Sequence, residues 1–199
     1  MLITQNIPIV LASTSKIRKR ILSTAGLDFK VIKSPFNEDE EKEKFPDFSP
    51  QELATFLAKQ KAIEVSKIHS KTIVIGADQV CELDGKELFK SLNPEDALEQ
   101  LKKINGKRHF QNNCSVIAFD GEIIFESFCR VELKMRNLSI MQLKKYVETE
   151  KSWGCAGSYK YESLGKHLFE KVDGDYFAVL GLNIQPLLHF MHQFNFITI

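Results

Sequence analysis

Ile9-Val10-Leu11-Ala12-Ser13-Thr14-Ser15-Lys16-Ile17-Arg18-Lys19-Arg20-Ile21-Leu22 is an apolar run that breaks into small hydroxylated residues and then into a basic helix start. The apolar part, extended to Ile7–Ala12, reads as a buried strand, and Lys16 to Ala25 reads as a helix stopped by Gly26. Cations in the first turn of a helix oppose its dipole. Arg18, Lys19 and Arg20 are therefore poor local design unless something anionic, such as a phosphate ester, sits at that end. Ser13, Thr14 and Ser15 serve equally as ordinary capping residues, and the segment alone leaves both readings open.

Outward from this run, strand-like and helix-like segments alternate. Phe29–Lys33 reads as a second short strand, and the acidic stretch Asn37–Lys44, without apolar periodicity, as an exposed loop. Ser49-Pro50 followed by Glu52 is a capping box, starting a helix to about Ile68 with Leu53, Phe56, Leu57, Lys61 and Val65 near one side. Thr72–Ile75 is a short apolar strand ending in Gly76-Ala77-Asp78-Gln79. Asp84-Gly85 marks a hairpin, Asn93-Pro94 caps a helix through Ile104, and Asp120-Gly121 joins strands His109–Phe119 and Ile123–Met135. Ser139 caps a helix to about Thr149, Gly174-Asp175-Tyr176 and Gly181-Leu182 read as turns, and an apolar helix lies near Pro186–Phe194. Hairpins and crossover helices together imply an α/β domain with a mixed twisted sheet and flanking helices.

Length and composition narrow the function. The chain has 199 residues, enough for a sizeable core. Lys and Arg number 27 against 26 Asp and Glu, a formal charge of +1, which argues against a general nucleic-acid binder but leaves room for local cations around a small anion. Cys81, Cys114, Cys129 and Cys155 are scattered and form no C-x-x-C pair, as expected of reduced thiols. No stretch approaches the ~18–20 apolar residues of a membrane span, and Met1–Asn6 lacks the basic region and cleavage site of an export signal. The expected location is the cytoplasm, with no membrane partner.

Few side chains stand out chemically. Asp78, just after a buried strand, sits where α/β proteins place ligands and could bind a metal or activate water; a turn Asp bonded to local backbone is the alternative. Lys61 shares a helix side with Leu57 and Val65, where a lysine ordinarily extends to solvent. Lys90 is equally ambiguous, and Glu38 belongs to a charge run whose default role is solvation. His189 and His192 lack further metal ligands at recognisable spacing, and no G-x-G-x-x-G or Walker pattern is present.

Taken in order, these segments resemble the Maf family of nucleoside triphosphate pyrophosphatases. The matching stretches are LASTSKIRKRIL at 11–22, Asn37-Glu38, LAKQKA at 57–62, GADQV at 76–80, GKELFK at 85–90, INGKRH at 104–109, CAGSYKYES at 155–163 and GDYFAVLGL at 174–182. The resemblance implies a single domain over 1–199 with two lobes, related to the inosine triphosphatases, and an active cleft between the lobes. It implies hydrolysis of a nucleoside triphosphate to a monophosphate and pyrophosphate with a divalent metal, Mg²⁺ or Mn²⁺. Asp78 would be the proton acceptor, Glu38 and Asp78 would hold the metal, and Ser13, Arg18, Lys61 and Lys90 would hold phosphates. The partner is a small-molecule nucleotide, and the family suggests a homodimer.

Three positions bear on the base. Gln79 in GADQV and Glu162 in CAGSYKYES look like the branch acting on 7-methyl-GTP, whereas the dTTP/UTP branch typically has Thr and Gln there. A carboxylate at Glu162 would favour the cationic methylated guanine. Ile17 stands where that branch tends to have Trp, which removes a stacking partner for the base, and Ser91 stands where the family usually has Pro. The alternatives are a dTTP/UTP pyrophosphatase and a nucleotide-binding regulator of cell division with little turnover.

Overall fold

The structure, a computed structural model, describes residues 2–199 apart from the Asp39 side chain; Met1, first of the segment read for an export signal, lies outside them. Its strands are β1 (Thr4–Gln5), β2 (Ile9–Leu11), β3 (Lys30–Val31), β4 (Ile73–Leu83), β5 (Lys86–Glu87), β6 (Arg108–Phe119), β7 (Glu122–Met135), β8 (Phe169–Asp173) and β9 (Ile197–Thr198). Its helices are α1 (Lys16–Thr24), α2 (Glu38–Lys44), α3 (Pro50–Ser66), α4 (Pro94–Ile104), α5 (Ile140–Glu150), α6 (Tyr176–Leu180) and α7 (Ile184–Gln193). No helix among the described residues is long and apolar enough to cross a membrane.

The main sheet runs β3-β2-β4-β6-β7-β8, with β5 paired to β4, and β1 pairs with β9 separately. The β3, β2 and β4 strands are parallel, with Val10 opposite both Lys30 and Val74. From β4 onward the pairing is antiparallel. This is a mixed α/β fold whose sheet is mostly antiparallel. Its parallel corner, where β2 has its successors β3 and β4 on opposite sides, opens the kind of crevice in which α/β proteins hold ligands.

Strand alternation sends β4 to two cores. Ile73, Ile75 and Ala77 join Leu11, Leu22, Leu187 and Met191 under α1 and α7, while Val74 and Val80 join Leu57, Ala58, Ala62 and Val65 of α3. A third cluster, with Leu101, Ile104, Leu133, Leu143 and Phe169, seals α4 and α5 against the end of β7 and the start of β8.

The sequence reading has no counterpart of β1, β8 and β9, and Tyr176, read as part of a turn, opens the short helix α6; two further segments take a form other than the one read. The stretch read as an acidic loop is helical over Glu38–Lys44. Glu and Lys are strong helix formers, and pairing within the turn (Lys44 to Glu41, 2.5 Å) and outside it (Lys42 to Glu87, 2.7 Å) replaces an apolar face. Its far end is anchored by Phe45, which stacks on Phe48 at 4.7 Å and meets Phe56 of α3 at 5.0 Å. The second is β4, which does not stop at Ile75 but continues through Gly76-Ala77-Asp78-Gln79 to Leu83, because β6 pairs with it from Val74 to Glu82. Asp78 is thus a mid-strand residue, not a turn residue.

Candidate active site

The three parallel strands carry their ends to one edge. Ser13 follows β2, Lys33 follows β3 and Asp78 lies three residues beyond the last β4–β2 pairing at Ile75. All three line a cleft of about 410 Å³, within the usual size range for small-ligand sites.

The floor of the cleft is a charged cluster. Lys61 Nζ donates to Asp78 Oδ1 at 2.5 Å and lies 2.9 Å from Glu38 Oε1. Lys61 and Asp78 are only 8% and 7% exposed, so the lysine does not extend to solvent as its helix position alone suggests. The packing of α3 on β4 brings them together. Ala58 and Ala62 face Gly76, where an added Cβ would stand 2.5 Å from the Ala58 carbonyl oxygen. A side chain at 76 would lift the helix away. Gly76 and Asp78 share a strand face, and Lys61 lies one residue before Ala62, so this close approach sets the Lys61–Asp78 contact.

Around this floor, the helix start supplies hydroxyls and a guanidinium. Ser15 caps α1 by accepting from the Arg18 N–H at 3.4 Å. Arg18 Nη1 donates to Ser13 Oγ at 3.2 Å and its Nε to the Gly181 carbonyl at 2.7 Å. Burial draws the Arg18 pKa down, opposed by Asp78 and then Glu38. Part of the cation's unfavourable placement at α1 is therefore offset by a carbonyl at the end of α6, a cation-favouring terminus. Gln79 is held by the same short helix, its Nε2 donating to the Val179 carbonyl at 2.9 Å and the Ala178 carbonyl at 3.3 Å.

The opposite wall comes from two loops tied together. Exposed Lys90 sits between Phe89, whose carbonyl accepts from Gln100 Nε2, and buried Ser91. Ser91 accepts from Gly154 N–H at 2.8 Å and from Ser158 Oγ at 2.9 Å. Ser91 thus fastens the Lys90 loop to the turn that begins the 155–163 segment. From that segment Glu162 lines the cleft, as Ile17 does from α1.

All nine candidates read from the sequence, Ser13, Ile17, Arg18, Glu38, Lys61, Asp78, Gln79, Lys90 and Glu162, line this one cleft. Lys33, Gln111, Tyr159 and Tyr161 line it as well and were missed. Lys33 stood out only as the end of a short strand, and the two tyrosines only as part of a longer motif. Cys155 also faces the cleft, but burial raises its thiol pKa, so it is protonated at neutral pH and a poor nucleophile. The arrangement suits anion binding by Arg18, Lys61, Lys90 and Lys33 beside carboxylates able to take a proton.

The donor set also bears on a divalent metal. Glu38 and Asp78 are hard oxygen donors converging on one cation, Lys61. Among the described residues no group of three or more His, Cys, Asp or Glu is placed to hold a metal. Two carboxylates, with the remaining positions left to substrate phosphates and water, fit Mg²⁺ as nucleotide enzymes hold it.

A family model described as Maf-like protein matches residues 8–194. A curated nucleoside triphosphate pyrophosphatase of Legionella pneumophila is 37% identical over 185 residues, covering 93% of this chain and 92% of that one. One of the same name from Bradyrhizobium diazoefficiens is 36% identical, covering 96% of each. Among solved structures, the Staphylococcus aureus Ham1 protein is similar at 20% identity and a TM-score of 0.39, over 64% of this chain and 71% of that one, a likeness too loose to bear on the fold.

Proposed function

This chain belongs to the Maf family, and on that premise we propose that it is a nucleoside triphosphate pyrophosphatase, a hydrolase of acid anhydrides, whose preferred substrate is 7-methyl-GTP. The observation that carries the catalytic reading is the Lys61–Asp78–Glu38 cluster at the floor of a cleft rimmed by Arg18, Lys33 and Lys90.

In this reading Asp78 takes a proton from the attacking water, and the products are the nucleoside monophosphate and pyrophosphate. Lys61 orients the Asp78 carboxylate and offsets charge on the polyphosphate. Arg18, held by Ser13 and the Gly181 carbonyl, and Lys90 on its tied loop bind phosphate oxygens from opposite sides. Glu38 and Asp78 would hold a divalent metal, which supplies further neutralisation of phosphate charge and a more acidic bound water. Glu162 supports the methylated purine, because a carboxylate favours a cationic ring and accepts from the N–H donors of a guanine edge. Gln79, anchored to α6, shapes the neighbouring wall.

The test is pyrophosphate release from 7-methyl-GTP, GTP, dTTP and UTP with Mg²⁺. The highest kcat/KM is expected for 7-methyl-GTP. Preference for dTTP or UTP would keep the reaction and overturn the substrate, and no release from any of the four would favour a nucleotide-binding regulator.

A further inference from the structure

We propose that Tyr161 is the stacking platform for the substrate base and, with Glu162, forms the base-reading pair of the cleft; the inference rests on the pyrophosphatase reading above. Three observations carry it. First, three aromatic side chains, Phe36, Tyr159 and Tyr161, line the cleft. Phe36 is drawn into the α3 cluster by edge contact with Phe56 at 6.1 Å, beside Glu38 and Lys33 at the charged end. Tyr159 is 5% exposed, and its hydroxyl is engaged by Gln111 Nε2 at 2.7 Å and the His109 ring at 3.1 Å. Phe36 and Tyr161 are both half-buried, and of these two Tyr161 lies away from the α3 aromatic cluster, beside Glu162, with ring left to offer.

Second, the segment carrying Tyr161 is fastened on both sides of it. The Lys160 N–H donates to the Tyr146 hydroxyl at 3.0 Å and Lys160 Nζ to the Glu150 carbonyl at 2.6 Å. Ser163 Oγ and the Leu164 N–H both donate to the Glu150 carboxylate, at 3.0 and 3.1 Å. Between these ties, Tyr161 and Glu162 are the two side chains not consumed in holding the loop. Both face the cleft. Glu162 forms no ion pair among the described residues, so its charge is available to a ligand.

Third, the Tyr161 ring is braced by two tilted aromatic neighbours, Phe169 at 5.9 Å and Tyr176 at 6.0 Å between centroids. A braced aromatic face loses little freedom on binding, and beside a carboxylate it suits an electron-poor, cationic purine above a neutral pyrimidine. It also supplies the aromatic surface that Ile17 does not.

The experiment compares wild type with Tyr161→Leu, Tyr161→Met and Tyr161→Phe, each checked by thermal melting. Base stacking predicts that Leu and Met raise KM for 7-methyl-GTP about tenfold. Their kcat should stay within about twofold, and Phe should match wild type. The Met variant fills the space against Phe169, so a Leu variant that melts early leaves the test intact. An unchanged KM in a folded Leu or Met variant, or a loss confined to kcat, would overturn the proposal while leaving the pyrophosphatase reading standing. If wild type releases no pyrophosphate, that reading fails by itself. Equilibrium binding of 7-methyl-GTP to the same variants then decides on Tyr161, with the same tenfold weakening expected and equal affinity overturning it.

Discussion

Lys61 is an ammonium almost out of water, held by a buried carboxylate on one side and a half-exposed one on the other. Removing one partner of such a group leaves the remaining charge desolvated and uncompensated, which costs more than the pair contributes. Lys61→Met should therefore lower stability by about 3 kcal/mol, read as a fall in denaturant midpoint at unchanged slope. A shift under about 0.5 kcal/mol would mean that the Lys61–Asp78 pair is open to water in the folded state. The lysine's helix position says nothing of this, since its neighbours Leu57 and Val65 mark a buried side on which a lysine ordinarily reaches outward. Only the strand beneath it, which brings in Asp78 from seventeen residues further along the chain, explains why it stays in.

At the scale of elements, the contact that matters is α3 lying directly on β4. The Cβ of an alanine at position 76 would meet the Ala58 carbonyl and the Ala62 side chain, neither of which is the free end of a flexible group. Gly76→Ala should destabilise by about 1–3 kcal/mol and, by moving α3, loosen Lys61 from Asp78, so melting temperature and pyrophosphate release fall together. A variant with wild-type melting and activity would show that the helix can give way. Much at this scale was legible in the residues. Asp84-Gly85 and Asp120-Gly121 both turn through positive φ at both positions, as hairpins of two residues demand, and Ser49, Asn93 and Ser139 all cap the helices read from them. What failed had a common cause. Gly76-Ala77-Asp78-Gln79 has turn-like residues because α3 packs on Gly76 and the cleft opens at Asp78 and Gln79, and α2 lacks an apolar stripe because its partners are charges.

For the whole molecule, the cleft gathers residues from Ser13 to Glu162 through the parallel corner of the sheet and two tied loops, an assembly that no local spacing contains. The order of motifs pointed to the set; periodicity and composition did not, and they passed over Tyr161 and Lys33. The buried polar layer beneath the cleft also couples the fold to pH. Burial lowers the His109 pKa to about 4 from 6.5, and its ring contacts the Tyr159 hydroxyl. The unfolded chain takes this proton near pH 6.5 and the folded one only near 4, so stability is complete above about 6.5 and lost as pH falls through that window, by about 3 kcal/mol at its lower end. Melting temperature should drop from pH 7 to 4.5, and less steeply in His109→Gln; equal slopes would remove His109 as the cause. The central claim, that this cleft hydrolyses nucleotides through Asp78, is tested most directly by pyrophosphate release from 7-methyl-GTP with Mg²⁺ in wild type and Asp78→Asn. The prediction is turnover in wild type and a loss of at least about a hundredfold in a variant that still melts as a folded protein. Comparable rates in the two proteins would contradict it.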